Sequence, residues 1–233
     1  MRNKHGFYSF TLLLLGLAMI SLYSCGDDNN SVTNPPGSTS FISGTISNYP
    51  GGSTIIKAKL TAGTPTDSFF AGIDTVDNNA MLNMNLSTPP SNFLVSFNSG
   101  TIPPGVVISD TTTRAAQFSS LRAYGFSNEL LGELQRKNFT DSQTVGSFVV
   151  QYLYSTKPFT ITGSDTTVNL TDTTMYFYNL TFAEGWNAFS FRVAEMRTNY
   201  TKYEFISGEA AGAAWYYTPV IIDMLSNKNF LMK

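Results

Sequence analysis

The chain has 233 residues, of which 42% are hydrophobic, 14% aromatic and only 13% charged, with 14 Lys and Arg against 16 Asp and Glu. A composition this rich in aromatic residues excludes an intrinsically disordered chain, which is poor in them and highly charged. The small net charge of -2 argues against a nucleic-acid-binding protein, because such a protein needs a basic surface that neutralises phosphates.

The N-terminus has the layout of a secretion signal. Arg2 and Lys4 precede an uncharged apolar stretch from Phe10 to Leu22, which is shorter than the ~20 apolar residues of a membrane-spanning helix. The stretch runs into Leu22-Tyr23-Ser24-Cys25, which resembles the lipobox of bacterial lipoproteins. The resemblance implies that residues 1–24 are a signal peptide, that cleavage occurs before Cys25, and that Cys25 carries a lipid on its sulfur.

The segment after Cys25 supports the same interpretation. Residues 26–40 are polar and rich in Pro, Gly, Ser and Asn, so residues 25–40 are predicted to be the lipidated cysteine and a flexible tether. The alternative is an ordinary cleaved signal with an incidental cysteine, although Cys25 is the only cysteine in the chain. Asp27-Asp28 loosely resembles the acidic export signal of surface lipoproteins, which favours the outer membrane or cell surface of a bacterial envelope and leaves the inner leaflet open.

Removal of residues 1–24 limits the chemistry that remains. It takes away Arg2, Lys4 and the only histidine, His5, and leaves 12 basic against 16 acidic residues. Without histidine or a free thiol, Ser-His-Asp and Cys-His catalysis and His or Cys zinc sites are excluded. We therefore predict no catalytic residue, no metal and no cofactor. Enzymes that use only carboxylates are not excluded.

From residue 41 onward, short segments of alternating apolar residues are separated by turn residues, which predicts an all-β fold. We expect an antiparallel β-sandwich, Ig-like or prealbumin-like, over residues 41–233, built from one or two close-packed β modules with a possible boundary near residues 98–112. The predicted strands are Phe41–Ile46, Thr54–Leu60, Ser68–Val76, Ala80–Leu86, Phe93–Phe97, Ser119–Tyr124, Leu130–Arg136, Gly146–Ser155, Phe159–Thr162, Thr174–Phe182, Trp186–Val193, Tyr203–Ser207 and Ala213–Val220.

The segment 127–137 fits two structures. Asn128 to Lys137 has helical propensity behind an N-cap-like Ser127. The alternative pairs Ser119–Tyr124 with Leu130–Arg136 across a turn at residues 125–129. We favour the strand pair, because Gly132 is unfavourable within a short helix.

Two further resemblances rest on strand and turn motifs. Ser43-Gly44-Thr45-Ile46, Lys57-Ala58-Lys59-Leu60 and Met81 to Leu86 are similar to the opening of prealbumin-like or carboxypeptidase-regulatory-like β-sandwich modules. Later runs, ending in Glu184-Gly185-Trp186-Asn187, look like uncharacterised secreted bacterial β-proteins. Both resemblances imply a fold without implying an activity.

The aromatic run Trp215-Tyr216-Tyr217 contains the candidate binding residues. Sugar rings stack on exposed aromatic rings, whereas large aromatic residues more often fill a core. Because consecutive side chains of a strand face opposite ways, at least Tyr216 points away from Trp215, and one side of this strand is expected at the surface.

These observations predict a lipid-anchored envelope protein, most simply a non-catalytic binding or structural module. Its expected partners are the membrane, through the lipid anchor, and a polysaccharide or another envelope protein, but not nucleic acid. The alternative is a glycoside hydrolase or another histidine-free enzyme, because a pair of carboxylates suffices for glycoside hydrolysis. Candidate carboxylates are Glu129, Glu133, Asp141, Glu184, Glu195, Glu204, Glu209 and Asp223.

Overall fold

A computed structural model describes residues 39–61, 68–97, 102–169 and 172–220, and within them the fold is all-β, as predicted. Its strands are β1 (Phe41–Ser47), β2 (Thr54–Thr61), β3 (Ser68–Val76), β4 (Met81–Asn85), β5 (Val95–Ser96), β6 (Val106–Ile108), β7 (Arg114–Phe118), β8 (Leu121–Tyr124), β9 (Leu130–Lys137), β10 (Phe148–Ser155), β11 (Phe159–Asn169), β12 (Asp172–Phe182), β13 (Gly185–Arg197), β14 (Tyr200–Ser207) and β15 (Ala214–Pro219). No helix in these residues is long and apolar enough to cross a membrane.

The first part of the sheet has the strand order β3-β2-β8-β9-β15-β1-β4. All its neighbouring strands are antiparallel except β1 and β15, which run parallel. The inward side chains of these strands alternate with outward ones, as Ile56, Ala58 and Leu60 of β2 show, and they form a first core with Leu134 and Trp215. The two ends of the chain that the structure describes therefore meet in one layer.

The second part has the order β10-β13-β14-β12-β11-β6, with β12 and β14 parallel. It surrounds a second, mainly aromatic core that includes Phe159, Phe182, Phe189 and Phe205. Their rings are in contact, with centroids 4.8 Å apart for Phe159 and Phe182 and 5.8 Å for Phe182 and Phe189.

The two cores share strands β10 and β13. Tyr152 of β10 faces the first core and the next residue, Leu153, faces the second. Trp186 and Phe189 of β13 divide in the same way. Because both faces of β10 are covered, almost all of its residues are buried. The predicted boundary near residues 98–112 stays a prediction.

The disputed segment 127–137 forms strands, as favoured. Residues 121–124 of β8 pair with residues 130–134 of β9, and Asn128 takes the positive φ of 64° that the connecting turn needs. Gly132 lies under the ring of Tyr217, where a Cβ would approach ring carbons to 2.7 Å. A glycine that is unfavourable in a helix is thus required by the close approach of β15.

Candidate functional site

The three aromatic residues predicted as a binding site lie on β15 and divide between its two faces. Trp215 is only 1% exposed and Tyr217 only 8% exposed, both in the first core. Tyr216 lies on the other face and is half-buried. A ring that is buried by protein cannot stack on a ligand, so among these three a binding role stays a prediction for Tyr216.

Trp215 is held by contacts inside the fold. Its ring stacks on Tyr152 with a centroid distance of 6.2 Å and an interplanar angle of 9°, and its Nε1 donates to the carbonyl oxygen of Ser43 at 3.3 Å. The guanidinium of Arg136 lies 5.7 Å from the ring centroid. Trp215 therefore joins β1, β9 and β10 through one side chain.

A polar group sits at the rim of the first core. Glu209 accepts a hydrogen bond from Arg136 Nε at 2.9 Å and another from the Tyr152 hydroxyl at 2.8 Å. Burial, and next the negative charge of Glu209, raise the pKa of Tyr152 well above its ordinary value. Every partner in this group is satisfied within the protein, which favours a structural role.

In the first part of the sheet, on the face that points away from the first core, Tyr216 lies beside the buried Lys137. The Lys137 ammonium is 4.7 Å from the ring centroid of Phe139 and 5.9 Å from that of Tyr216. Burial lowers the pKa of Lys137, and the charge of Asp141 opposes that shift. The Tyr216 ring thus contacts a cation of its own chain.

A second aromatic surface crosses the neighbouring strands β13, β14, β12 and β11. We define the tyrosine row as Phe191, Tyr203 and Tyr176 with Asp165, from β13, β14, β12 and β11 in that order. Tyr176 is paired with Tyr203 across the parallel strands and with Asp165 across the hairpin. The rings stack side by side, at 4.6 Å for Phe191 and Tyr203 and 5.7 Å for Tyr203 and Tyr176. Stacked rings cover each other's faces and present their edges and hydroxyl groups.

The row continues the second core to the surface. Phe205 and Tyr178, one step further in, are buried and stack at 4.8 Å, whereas Phe191, Tyr203 and Tyr176 are only partly buried. The row is therefore the partly exposed rim of the second core.

The hydroxyl groups of the row differ from those of the core tyrosines. The hydroxyls of Tyr152 and Tyr217 donate to Glu209 and to the Leu131 carbonyl oxygen. No hydrogen bond to another described residue contributes to the pKa shifts of Tyr176 and Tyr203. Polar groups without an internal partner can bind solvent or a ligand.

The tyrosines of the row stay protonated at neutral pH. Burial raises the pKa of Tyr176 and of Tyr203, and for Tyr176 repulsion from an ionised Tyr203 and from Asp165 adds to the shift. A neutral phenol both donates and accepts a hydrogen bond, while an ionised Asp165 only accepts. The row thus offers donors and acceptors together.

The opposite face of the same strands is charged and internally paired. Glu204 accepts hydrogen bonds from Arg192 Nη2 at 2.5 Å and from Lys202 Nζ at 3.0 Å, and the Lys202 ammonium lies 5.5 Å from the Phe177 ring centroid. Burial alone raises the pKa of Glu204, but the hydrogen bonds from Arg192 and Lys202 outweigh it and lower the pKa. A general acid of glycoside hydrolysis needs the reverse shift.

The remaining candidate carboxylates are dispersed. Glu209 binds Arg136, Glu133 lies 3.9 Å from Arg122, and Glu195 contacts Arg197. Among the described residues no group of three or more acidic, His or Cys side chains could hold a metal ion. Cys25 and Asp223 lie outside the described residues.

The tyrosine row was not predicted from the sequence. The strand Thr174–Phe182 shows that Tyr176 and Tyr178 share a face, but Tyr203 joins them only through the parallel pairing of β12 and β14. No protein-family description, curated protein or solved structure matches the chain. The lipobox, prealbumin-like and secreted β-protein resemblances therefore stay predictions.

Proposed function

We propose that this protein is a lipid-anchored domain of a bacterial envelope that binds a hydroxyl-rich ligand, of the polysaccharide class, without catalysing a reaction. The tyrosine row is the observation that carries the proposal. It aligns two phenols and one carboxylate across strands β14, β12 and β11, on one partly exposed face of the sheet. Hydroxyl groups of a sugar can donate to the carboxylate and exchange hydrogen bonds with the phenols.

The charge around the row selects the type of polysaccharide. Arg192 and Lys202 project from the opposite face of the sheet and bind Glu204. The row itself therefore contains one carboxylate, Asp165, and no cation. An acidic ligand would be repelled by Asp165. We therefore expect a neutral glycan.

The paired carboxylates support a binding role over hydrolysis. A retaining or inverting glycosidase needs one carboxyl group that is protonated near neutral pH. Against the effect of burial, hydrogen bonds from Arg192 and Lys202 lower the pKa of Glu204 and hold it in its ionised form. We predict that glycans incubated with the protein are recovered uncleaved.

The lipid anchor has its own test in the full chain. Labelled palmitate is expected to be incorporated into the wild-type protein and not into Cys25→Ser, because Cys25 supplies the only thiol. The wild-type protein should then partition into detergent and the variant into the aqueous phase. A Cys25→Ser protein that still carries palmitate would contradict the anchor.

The ligand class is tested on a glycan array with the chain that begins at Gly26. The wild-type protein is expected to bind one or more neutral glycans and to lose that binding in Tyr203→Ala, which removes the central ring of the row. Phe177→Ala, on the opposite face, is the matched control and should bind as the wild type does. A wild-type protein that binds no glycan would contradict the proposal.

A further inference from the structure

Within the part of the chain that the structure describes, the outer edge of β11 is unpaired over half of the strand. β6 pairs with Ile161 to Gly163 only, and no described strand lies beside Ser164–Asn169 on that side. On the inner side, the same residues pair with β12 as far as Asn169. Among the described residues, β11 therefore extends past β6 with one open edge.

The backbone groups that face outward along this edge can be assigned. The Thr160 carbonyl oxygen accepts from Ser109 N at 3.1 Å, and Ser164 N donates to the Gly105 carbonyl oxygen at 3.1 Å, both toward the β6 side. Because a strand alternates, the N–H and C=O groups of Thr166 and Val168 also point outward. The Thr166 N–H donates to Asp165 Oδ1 of its own copy at 2.9 Å, and no described strand pairs with the outward groups of either residue.

The open edge lacks most of the features that keep natural sheet edges apart. Proteins protect such edges with charged residues, especially lysine, and with proline or bulges, and Asp165 is the one charged residue of this edge. Residues 164–169 read Ser-Asp-Thr-Thr-Val-Asn, with no lysine or proline and with a Val168 that is 69% exposed. Threonine and valine favour strand pairing.

We propose that two copies of this chain pair antiparallel along this edge, with Thr166 of one copy opposite Val168 of the other and Thr167 opposite Thr167. In this register Thr166 and Val168 form four backbone hydrogen bonds across the two-fold axis. Two of them form when the Thr166 N–H exchanges the Asp165 carboxylate of its own copy for the Val168 carbonyl oxygen of the other copy. The two Thr167 residues form the central pair without backbone hydrogen bonds, where side chains lie closest.

The charges of the edge favour a second copy over an unrelated strand. In the same register Asp165, the one ionisable residue of Ser164–Asn169, lies opposite Asn169 of the other copy. No like charges face each other, and a carboxylate opposite an amide can accept a hydrogen bond from it. The edge is thus complementary to itself.

The pairing would join the two sheets into one. Since directly opposite residues of antiparallel strands share a face, both tyrosine rows would lie on the same face of the joined sheet, where a repeating glycan could contact both and bind more tightly. The pairing itself does not depend on that ligand.

Disulfide formation in the full chain tests the register. Thr167→Cys is expected to give a disulfide-linked dimer on a non-reducing gel, since Cα atoms of a central pair lie about 4.5 Å apart, within disulfide reach. Thr166→Cys is the matched control, because position 166 is equally exposed but faces position 168 of the other copy. The Thr166→Cys variant should show no more dimer than the wild type. Cys25 is present in every sample, so the wild type measures the dimer that Cys25 alone gives.

A second variant separates backbone pairing from chance collision. Val168→Pro added to Thr167→Cys removes an outward-facing N–H donor and leaves the bonds to β12 in place. The dimer is expected to fall to the wild-type background while the circular dichroism spectrum is unchanged. The proposal would be overturned if Thr166→Cys and Thr167→Cys gave equal amounts of dimer, or if neither gave any. It would also be overturned if the dimer of Thr167→Cys persisted after Val168→Pro was added.

Discussion

Replacing Trp215 by alanine is expected to lower the free energy of unfolding by about 3–5 kcal/mol, the usual range for a large buried aromatic residue. The change leaves a cavity in the first core beside Tyr152 and removes the donor to the Ser43 carbonyl oxygen. It also uncovers Arg136, which packs on the ring. We expect the midpoint of urea unfolding to fall with little change in its slope.

The neighbouring residue provides the matched control. Tyr216→Ala removes a ring of similar size that is half-buried on the outer face, and we expect a loss of about 1 kcal/mol or less. A Tyr216 variant as unstable as the Trp215 variant would contradict the placement of Trp215 in the first core and Tyr216 on the opposite face of β15.

Replacing Gly163 by alanine is the other change with a large expected effect. Gly163 has a φ of 110°, which L residues rarely adopt, and a Cβ there would lie 2.0 Å from the Gly105 carbonyl oxygen. That oxygen belongs to the backbone next to β6 and cannot rotate away. We expect a loss of about 3 kcal/mol in the free energy of unfolding, from strain and displacement of β6 together.

Gly212→Ala separates the two causes. Gly212 also has a positive φ, 84°, but no atom lies within 4 Å of a Cβ built there. Replacing Gly212 by alanine therefore adds backbone strain without a steric clash, and we expect a loss of about 1 kcal/mol in the free energy of unfolding. Equal losses at the two positions, measured by urea unfolding, would contradict the close packing of β6 on β11.

The alternation of apolar residues predicted most strands and their faces, because each strand packs one side on a core. It also resolved residues 127–137, where Gly132 argued against a helix and in fact accommodates Tyr217. The orientation of Tyr216 away from Trp215 followed from the two-residue period alone.

Long-range pairing accounts for what the sequence did not predict. The strand predicted at Phe159–Thr162 is longer in the structure, because pairing with β12 extends β11 to Asn169. The tyrosine row depends on the parallel register of β12 with β14. Local residue patterns carry no information about either pairing.

The binding affinity of hydroxyl-deletion variants tests the central claim most directly. Tyr176→Phe/Tyr203→Phe keeps the stacked rings and removes two phenol hydroxyls, and Tyr216→Phe removes one from β15. For a neutral glycan found on the array, we predict that the double variant binds about 10- to 100-fold more weakly, at about 1 kcal/mol for each hydrogen bond, and that Tyr216→Phe binds as the wild type does. Weakened binding in Tyr216→Phe with unchanged binding in the double variant would contradict the account and place the ligand on β15.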